Sequence, residues 1–99
     1  MAEELGYQPI TTFWTDFSIA DVYGTEGIQD TYNRAFSEWK SDYKYLTELV
    51  MVLNHKIWEW YDHDKERAEL YGKLYEETTD YAFANLQGEE LRYFLDVTD

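Results

Sequence analysis

The sequence predicts an all-α protein, a compact bundle of four to five helices. Three observations predict it. Apolar residues recur three and four positions apart through most of the chain, and no run alternates with period two for long enough to form a strand. The one proline, Pro9, falls within the first ten residues. Aromatic residues make up 19% of the chain, which argues for a packed core and against disorder. Ninety-nine residues suffice for one domain able to bury well over half of its unfolded surface. Residues 1–10 read as an extended N-terminal arm and residues 11–99 as a single helical domain.

The elements follow in order. Thr11 or Thr12 can cap a first helix with Phe13, Phe17 and Ala20 on its apolar side and Trp14 beside them. Gly24 is a suitable stop. Thr25 can cap the second helix, whose stripe is Ile28, Tyr32, Ala35, Phe36 and Trp39. Around Lys40–Asp42 this helix either ends or bends and continues. The third helix runs from about Asp42 to Asp62. At about 100° per residue, Leu46, Leu49, Val50, Leu53, Ile57, Trp60 and Tyr61 form a broad face; Met51 and Val52 point away from it and Trp58 lies on a flank. A helix apolar nearly all round its middle is either central or covered by a second subunit. The fourth helix runs from about Lys65 to Leu86, capped by Asp62 or Asp64. Ala68, Tyr71, Leu74, Tyr75, Thr78, Tyr81, Ala82 and Leu86 lie on its inner stripe, and Gly88 ends it. A short last helix, "EELRYFLDV", can turn Leu91, Phe94 and Leu95 inward.

Charge narrows the function. Twenty-one acids against eight bases give a net charge of −13. The magnitude exceeds the roughly 2–8 comfortable for a small domain, and the excess costs stability through self-repulsion. No basic stripe exists for direct binding to DNA or RNA, and an anionic membrane is equally disfavoured. Without cysteine there is neither a disulfide framework nor a thiolate metal site. "MAEELGYQPI" lacks the pattern of a signal peptide, and the longest apolar run, Leu49–Leu53, is far short of a membrane span. The expected compartment is the cytoplasm.

Four sets of residues bear on chemistry. His55, Glu59, Asp62 and His63 share one face of an ideal helix, and His55, Glu59 and His63 form a conceivable divalent-metal set. They match no established metal motif, so the expectation is no metal and no cofactor. Nucleophile elbows, P-loops, Gly-rich dinucleotide turns and kinase signatures are absent. Adjacent acids such as Glu76 and Glu77 show no sign of the divergent environments that acid–base catalysis needs, so the expectation is no enzyme. Trp58 and Tyr45 fall outside the stripes, and Met51, Val52 and Trp58 mark an alternative apolar interface for a homodimer or scaffold. Finally, Glu66, Glu69, Glu76, Glu77 and Asp80 line the outer face of the fourth helix, interrupted by Lys73; the second helix and the turn after it add Asp30, Glu38 and Asp42. Rows of carboxylates can present a field like that of duplex DNA to a basic groove, pairing with Lys and Arg in place of phosphate.

The stretches "TTFWTDFSIADVYG" (11–24) and "IQDTYNRAFSEWKSDYKYLTELVMVLNHKIWEWY" (28–61) resemble a group of small uncharacterised acidic proteins carried on conjugative elements and phages of Gram-positive (Firmicutes) bacteria. The resemblance covers about half the chain and implies a setting, with no residue roles to transfer. In that setting small acidic proteins counter host defence, including restriction and CRISPR nucleases with basic grooves. The expectation is therefore a non-enzymatic protein that binds and inhibits a basic nucleic-acid-binding protein by mimicry. The alternative is a helical interaction or scaffolding module acting through its apolar surface.

Overall fold

A computed structural model describes residues 10–98, so the expected arm, apart from Ile10, lies outside the described residues. Among the described residues five helices follow one another: α1 Phe13–Val22, α2 Gly24–Trp39, α3 Tyr43–Trp60, α4 Lys65–Asn85 and α5 Glu89–Thr98. Among the described residues there is no strand, and none of these helices is long and apolar enough to cross a membrane.

Local chemistry sets the boundaries. Thr11 Oγ1 accepts from the Phe13 N–H at 3.1 Å, whereas Thr12 turns its hydroxyl to the Asp16 carboxylate. Gly24, at φ +82°, ends α1 in the left-handed conformation that favours glycine. It is also the first residue of α2, so Thr25 is not the cap expected from the sequence; no side chain caps this start. Lys40 and Ser41 separate α2 from α3, and the Asp42 carboxylate accepts from the Lys44 and Tyr45 N–H groups at 3.1 and 3.3 Å. The two helices are thus distinct. Trp39 closes the corner by stacking on Tyr45, ring centroids 4.1 Å apart, which covers the Tyr45 ring. Asp64 caps α4 through the Arg67 N–H, and Gly88, at φ +60°, separates α4 from α5.

α3 touches all four other helices. One buried cluster joins Phe13 and Phe17 of α1, Ile28 and Tyr32 of α2, Leu49, Val52 and Leu53 of α3, and Tyr71 and Leu74 of α4. A second joins Leu46 and Val50 to Ala82, Leu86 and Phe94. Each fully buried aliphatic or phenyl side chain contributes roughly 1.5–3 kcal/mol, so the two clusters supply most of the drive to fold. The central position of α3 corrects one expectation. Val52 is fully buried in the first cluster, because it lies beside Leu49 at the edge of the main stripe, where α1 and α2 pack; the open side of α3 carries Asn54, His55 and Trp58 instead. Two further positions differ. Tyr61 is 62% exposed because α3 ends one residue before it, and Leu95 faces outward while Phe94 takes the inner place on α5.

The α1–α2 corner depends on a small residue. A Cβ on Gly27 would lie 2.7 Å from Tyr23 Cβ and 2.9 Å from the Ala20 carbonyl oxygen. A helix-interior Gly→Ala change ordinarily gains up to ~1 kcal/mol, but a backbone oxygen cannot swing aside. Gly27→Ala is therefore expected to destabilise by roughly 1–3 kcal/mol. Gly72→Ala in α4, where an added Cβ meets nothing within 4 Å, is expected to stabilise. Urea titration of both variants checks the pair.

Polar groups tie the helices together inside. Lys56, 3% exposed, donates to Asp21 Oδ2 at 2.8 Å. The Tyr71 hydroxyl donates to Asp21 Oδ1, and Arg67 donates to the Asp21 carbonyl at 3.0 Å. Arg67 also pairs with Asp64 and lies over the Trp60 ring. α1, α3 and α4 thus meet at Asp21. Elsewhere the buried Glu48 carboxylate accepts from the N–H groups of Ile10 and Thr11, each at 2.9 Å, and from the Thr11 hydroxyl. Tyr32 and Thr78 share a buried hydrogen bond of 2.8 Å between α2 and α4.

Burial, with the hydrogen bond to Asp21 adding to it, holds the Tyr71 proton far above the ordinary tyrosine value of 10.0. The neutral form is thus favoured in the folded state. Its contribution to stability is complete below pH 10 and falls as pH rises beyond the value at which the unfolded tyrosine ionises. Tyr71→Phe is expected to flatten the alkaline fall in urea midpoint above pH 10 relative to the parent.

Candidate functional site: two acidic surfaces

The acids singled out in the sequence separate into two surfaces. On α4, Glu66, Glu69, Glu76, Glu77 and Asp80 are all exposed, on the side opposite the buried Ala68, Tyr71, Leu74, Thr78 and Ala82. Among the described residues none of the five forms an ion pair, and Lys73 in their midst forms none either. At 1.5 Å rise per residue the row spans about 21 Å, roughly one carboxylate every 5 Å. One DNA strand places a phosphate every ~3.4 Å, so the row is sparser than a strand but of the same order. Glu77 lies toward α2. Burial raises the Tyr32 proton affinity above its ordinary value, the Thr78 hydrogen bond opposes this, and the Glu77 charge adds to it.

Only part of this charge is arranged to stabilise helices. Acids in the first turns of α1, α2, α4 and α5 suit the helix dipole. Yet none of the five helices carries a basic residue in its last turn, and Glu76, Glu77 and Asp80 occupy the C-terminal half of α4. Two of the eight basic residues are also drawn inward: Lys56 is buried and Arg67 half-buried.

The second surface is a groove between α1 and α2 of about 750 Å³. Phe13, Ala20, Ala35 and Trp39 contribute apolar lining, with the exposed Ile19 and Tyr23 on one wall. Asp16 lies on the α1 side; Glu26, Asp30 and Glu38 follow the α2 side, with Arg34 as the single cation of the lining among the described residues. Asp30 and Glu38 thus belong to a groove and not to a flat face. Asp42 is exposed but already accepts two backbone N–H groups as the α3 cap.

The remaining candidates do not converge. His55 Nε2 lies 3.6 Å from Glu59 Oε1, but the other Glu59 oxygen accepts from Lys56 at 3.3 Å. α3 ends at Trp60, and the turn through Tyr61–His63 takes His63 off the helical face that would have grouped it with His55 and Glu59. Among the described residues no three His, Asp or Glu side chains are placed to hold a metal ion. Trp58 is 66% exposed and lies 5.4 Å from Tyr61, itself exposed; Met51 is half-buried, and the buried Val52 drops out of this surface. Asp21, Lys56 and Glu48, the polar groups that organise the interior, drew no attention in the sequence. The available signal was position: Asp21 follows Phe17 by four residues, and Lys56 follows Leu49 and Leu53 by seven and three.

No protein-family model, curated protein or solved structure matches this chain.

Proposed function

We propose that this chain is a non-enzymatic acidic protein that binds and inhibits a basic nucleic-acid-binding protein, its carboxylates taking the places of phosphates. The observation that carries the reading is the outer face of α4, with five exposed carboxylates on one side of a 21-residue helix, none of them in an ion pair with a described residue. Acids recruited only for solubility would serve equally well scattered or paired with neighbouring Lys. The mobile-element setting implied by the sequence resemblance adds a target class, the basic groove of a restriction or CRISPR nuclease. Such a complex gains its on-rate from charge steering and loses it to salt. The test immobilises the protein, loads host lysate at low salt, and elutes in steps of rising salt or with duplex DNA. A nucleic-acid-binding protein released by both is the expected result. Retention indifferent to salt and to duplex DNA sinks the proposal.

A second reading rests on the exposed pair Trp58 and Tyr61, with Met51 at its edge. Exposed aromatics of this kind are favoured interface anchors, and a homodimer through them would make the chain a scaffold. Sedimentation equilibrium decides it: a monomer at high concentration, unchanged by Trp58→Ser, removes this reading.

A further inference from the structure

We infer that the groove between α1 and α2 docks a basic amphipathic helix of a protein partner. The inference deepens the proposed function by naming the element of the partner that is recognised, and it rests on that reading for the partner's class. Two features that arise separately coincide here. The lining is apolar in part: the half-buried Trp39 contributes, and Ile19 and Tyr23 leave 55% and 73% of their surface open to solvent at its wall. The rim is acidic, with Glu26, Asp30 and Glu38 along α2 and Asp16 across from them. An occupant must therefore offer an apolar stripe flanked by cations.

Spacing favours a helix as that occupant. Glu26, Asp30, Arg34 and Glu38 follow one another at four-residue intervals, about 6 Å apart along the axis. A partner helix lying along α2 presents its own i, i+4 side chains at the same pitch. Lys or Arg at the positions facing Glu26, Asp30 and Glu38 completes three pairs. Arg34 sets the register: its guanidinium forms no ion pair among the described residues. A cation facing it is repelled, so the matching helix carries an acid or a neutral residue at that one position. Sliding by one turn sets base against base. Gly27 keeps α1 close enough to α2 for the groove to have two walls.

The test uses isotope-labelled protein and a synthetic amphipathic peptide of about sixteen residues, long enough for partial helicity in water. Leucines form one stripe, lysines flank it, and Ala and Gln fill the rest. A scrambled peptide of equal composition is the control. The expected shift changes centre on Ile19, Tyr23, Gly27 and Thr31. Neutralising the rim with Glu26→Gln, Asp30→Asn and Glu38→Gln is expected to weaken binding about tenfold. Glu69→Gln, Glu76→Gln and Asp80→Asn on α4 should change it less than twofold. All six residues are exposed, and circular dichroism checks that both variants fold. The inference is overturned by equal binding of the scrambled peptide or by shifts centred on α4. It is also overturned if the same groove resonances move with protein concentration alone, since a second copy would then be the occupant. The peptide assay contains no nucleic-acid-binding protein, so its outcome separates from that of DNA competition. Groove binding without DNA competition removes mimicry only; DNA competition without groove shifts removes the groove only.

Discussion

Asp21→Ala is expected to lower the unfolding free energy by roughly 3–5 kcal/mol. Small domains are stable by only about 5–15 kcal/mol, so this one change consumes a large share. The reason is what remains behind. Lys56 is 3% exposed and Asp21 8%. With the carboxylate gone, the ammonium keeps only Glu59, at 3.3 Å and near the surface, and the Tyr71 hydroxyl loses its acceptor. An uncompensated buried charge and an orphaned buried hydroxyl both cost free energy. The comparison that isolates the cause is Asp21→Leu with Lys56→Met. Removing both charges while filling the space recovers most of the loss, because buried ion pairs contribute little beyond well-packed apolar groups. Urea midpoints of the single and double variants read both effects. A single variant within about 1 kcal/mol of the parent would show that Lys56 escapes to solvent.

Neutralising α4 with Glu66→Gln, Glu69→Gln, Glu76→Gln, Glu77→Gln and Asp80→Asn is expected to weaken capture of the basic partner by roughly tenfold to a thousandfold. Five exposed pairs at a few tenths to one kcal/mol each sum to this order. The same variant is expected to gain in thermal stability, since five fewer negative charges relieve self-repulsion in a chain of net charge −13. The two signs matter together. Loss of binding with a gain in stability assigns the acids to recognition. Unchanged binding with a gain in stability returns them to the role of solubilising charge. Binding isotherms at two salt concentrations and a thermal melt supply both readings.

The helical fold was legible in the sequence because each helix writes its stripe at three- and four-residue spacing, and because Gly24, Asp42, Asp64 and Gly88 stand where helices stop or start. The five α4 acids were legible for the same reason, since a single helix fixes their common face. What the spacing could not show depends on neighbours. Val52 lies off the main stripe of α3, yet the cluster that joins α1, α2 and α4 to α3 extends over it and leaves only the side of Asn54, His55 and Trp58 open. Lys56 and Glu48 lie on buried faces where the ordinary expectation for Lys and Glu is the surface. Only the arrival of Asp21 from α1, and of Ile10 and Thr11 from the chain ahead of it, reveals their use. The groove was illegible for the same reason: its acids lie on two helices, and the α1–α2 corner near Gly27 sets their separation.

The Asp21 junction also bears on how fast the molecule comes apart. The most extensive helix contact is between α3 and α4, neighbours in sequence, and α1 with α2 comes next. Local contacts of this kind form early and make helical proteins fold quickly. Asp21, by contrast, reaches Lys56 across 35 residues and Tyr71 across 50, and Tyr32 reaches Thr78 across 46. These bonds close only after the two helical hairpins have met. Breaking them leaves the folding limb of a chevron nearly unchanged and steepens escape from the native state. The polar junction thus acts as a latch on lifetime: it sets how long the bundle stays closed more than how readily it forms.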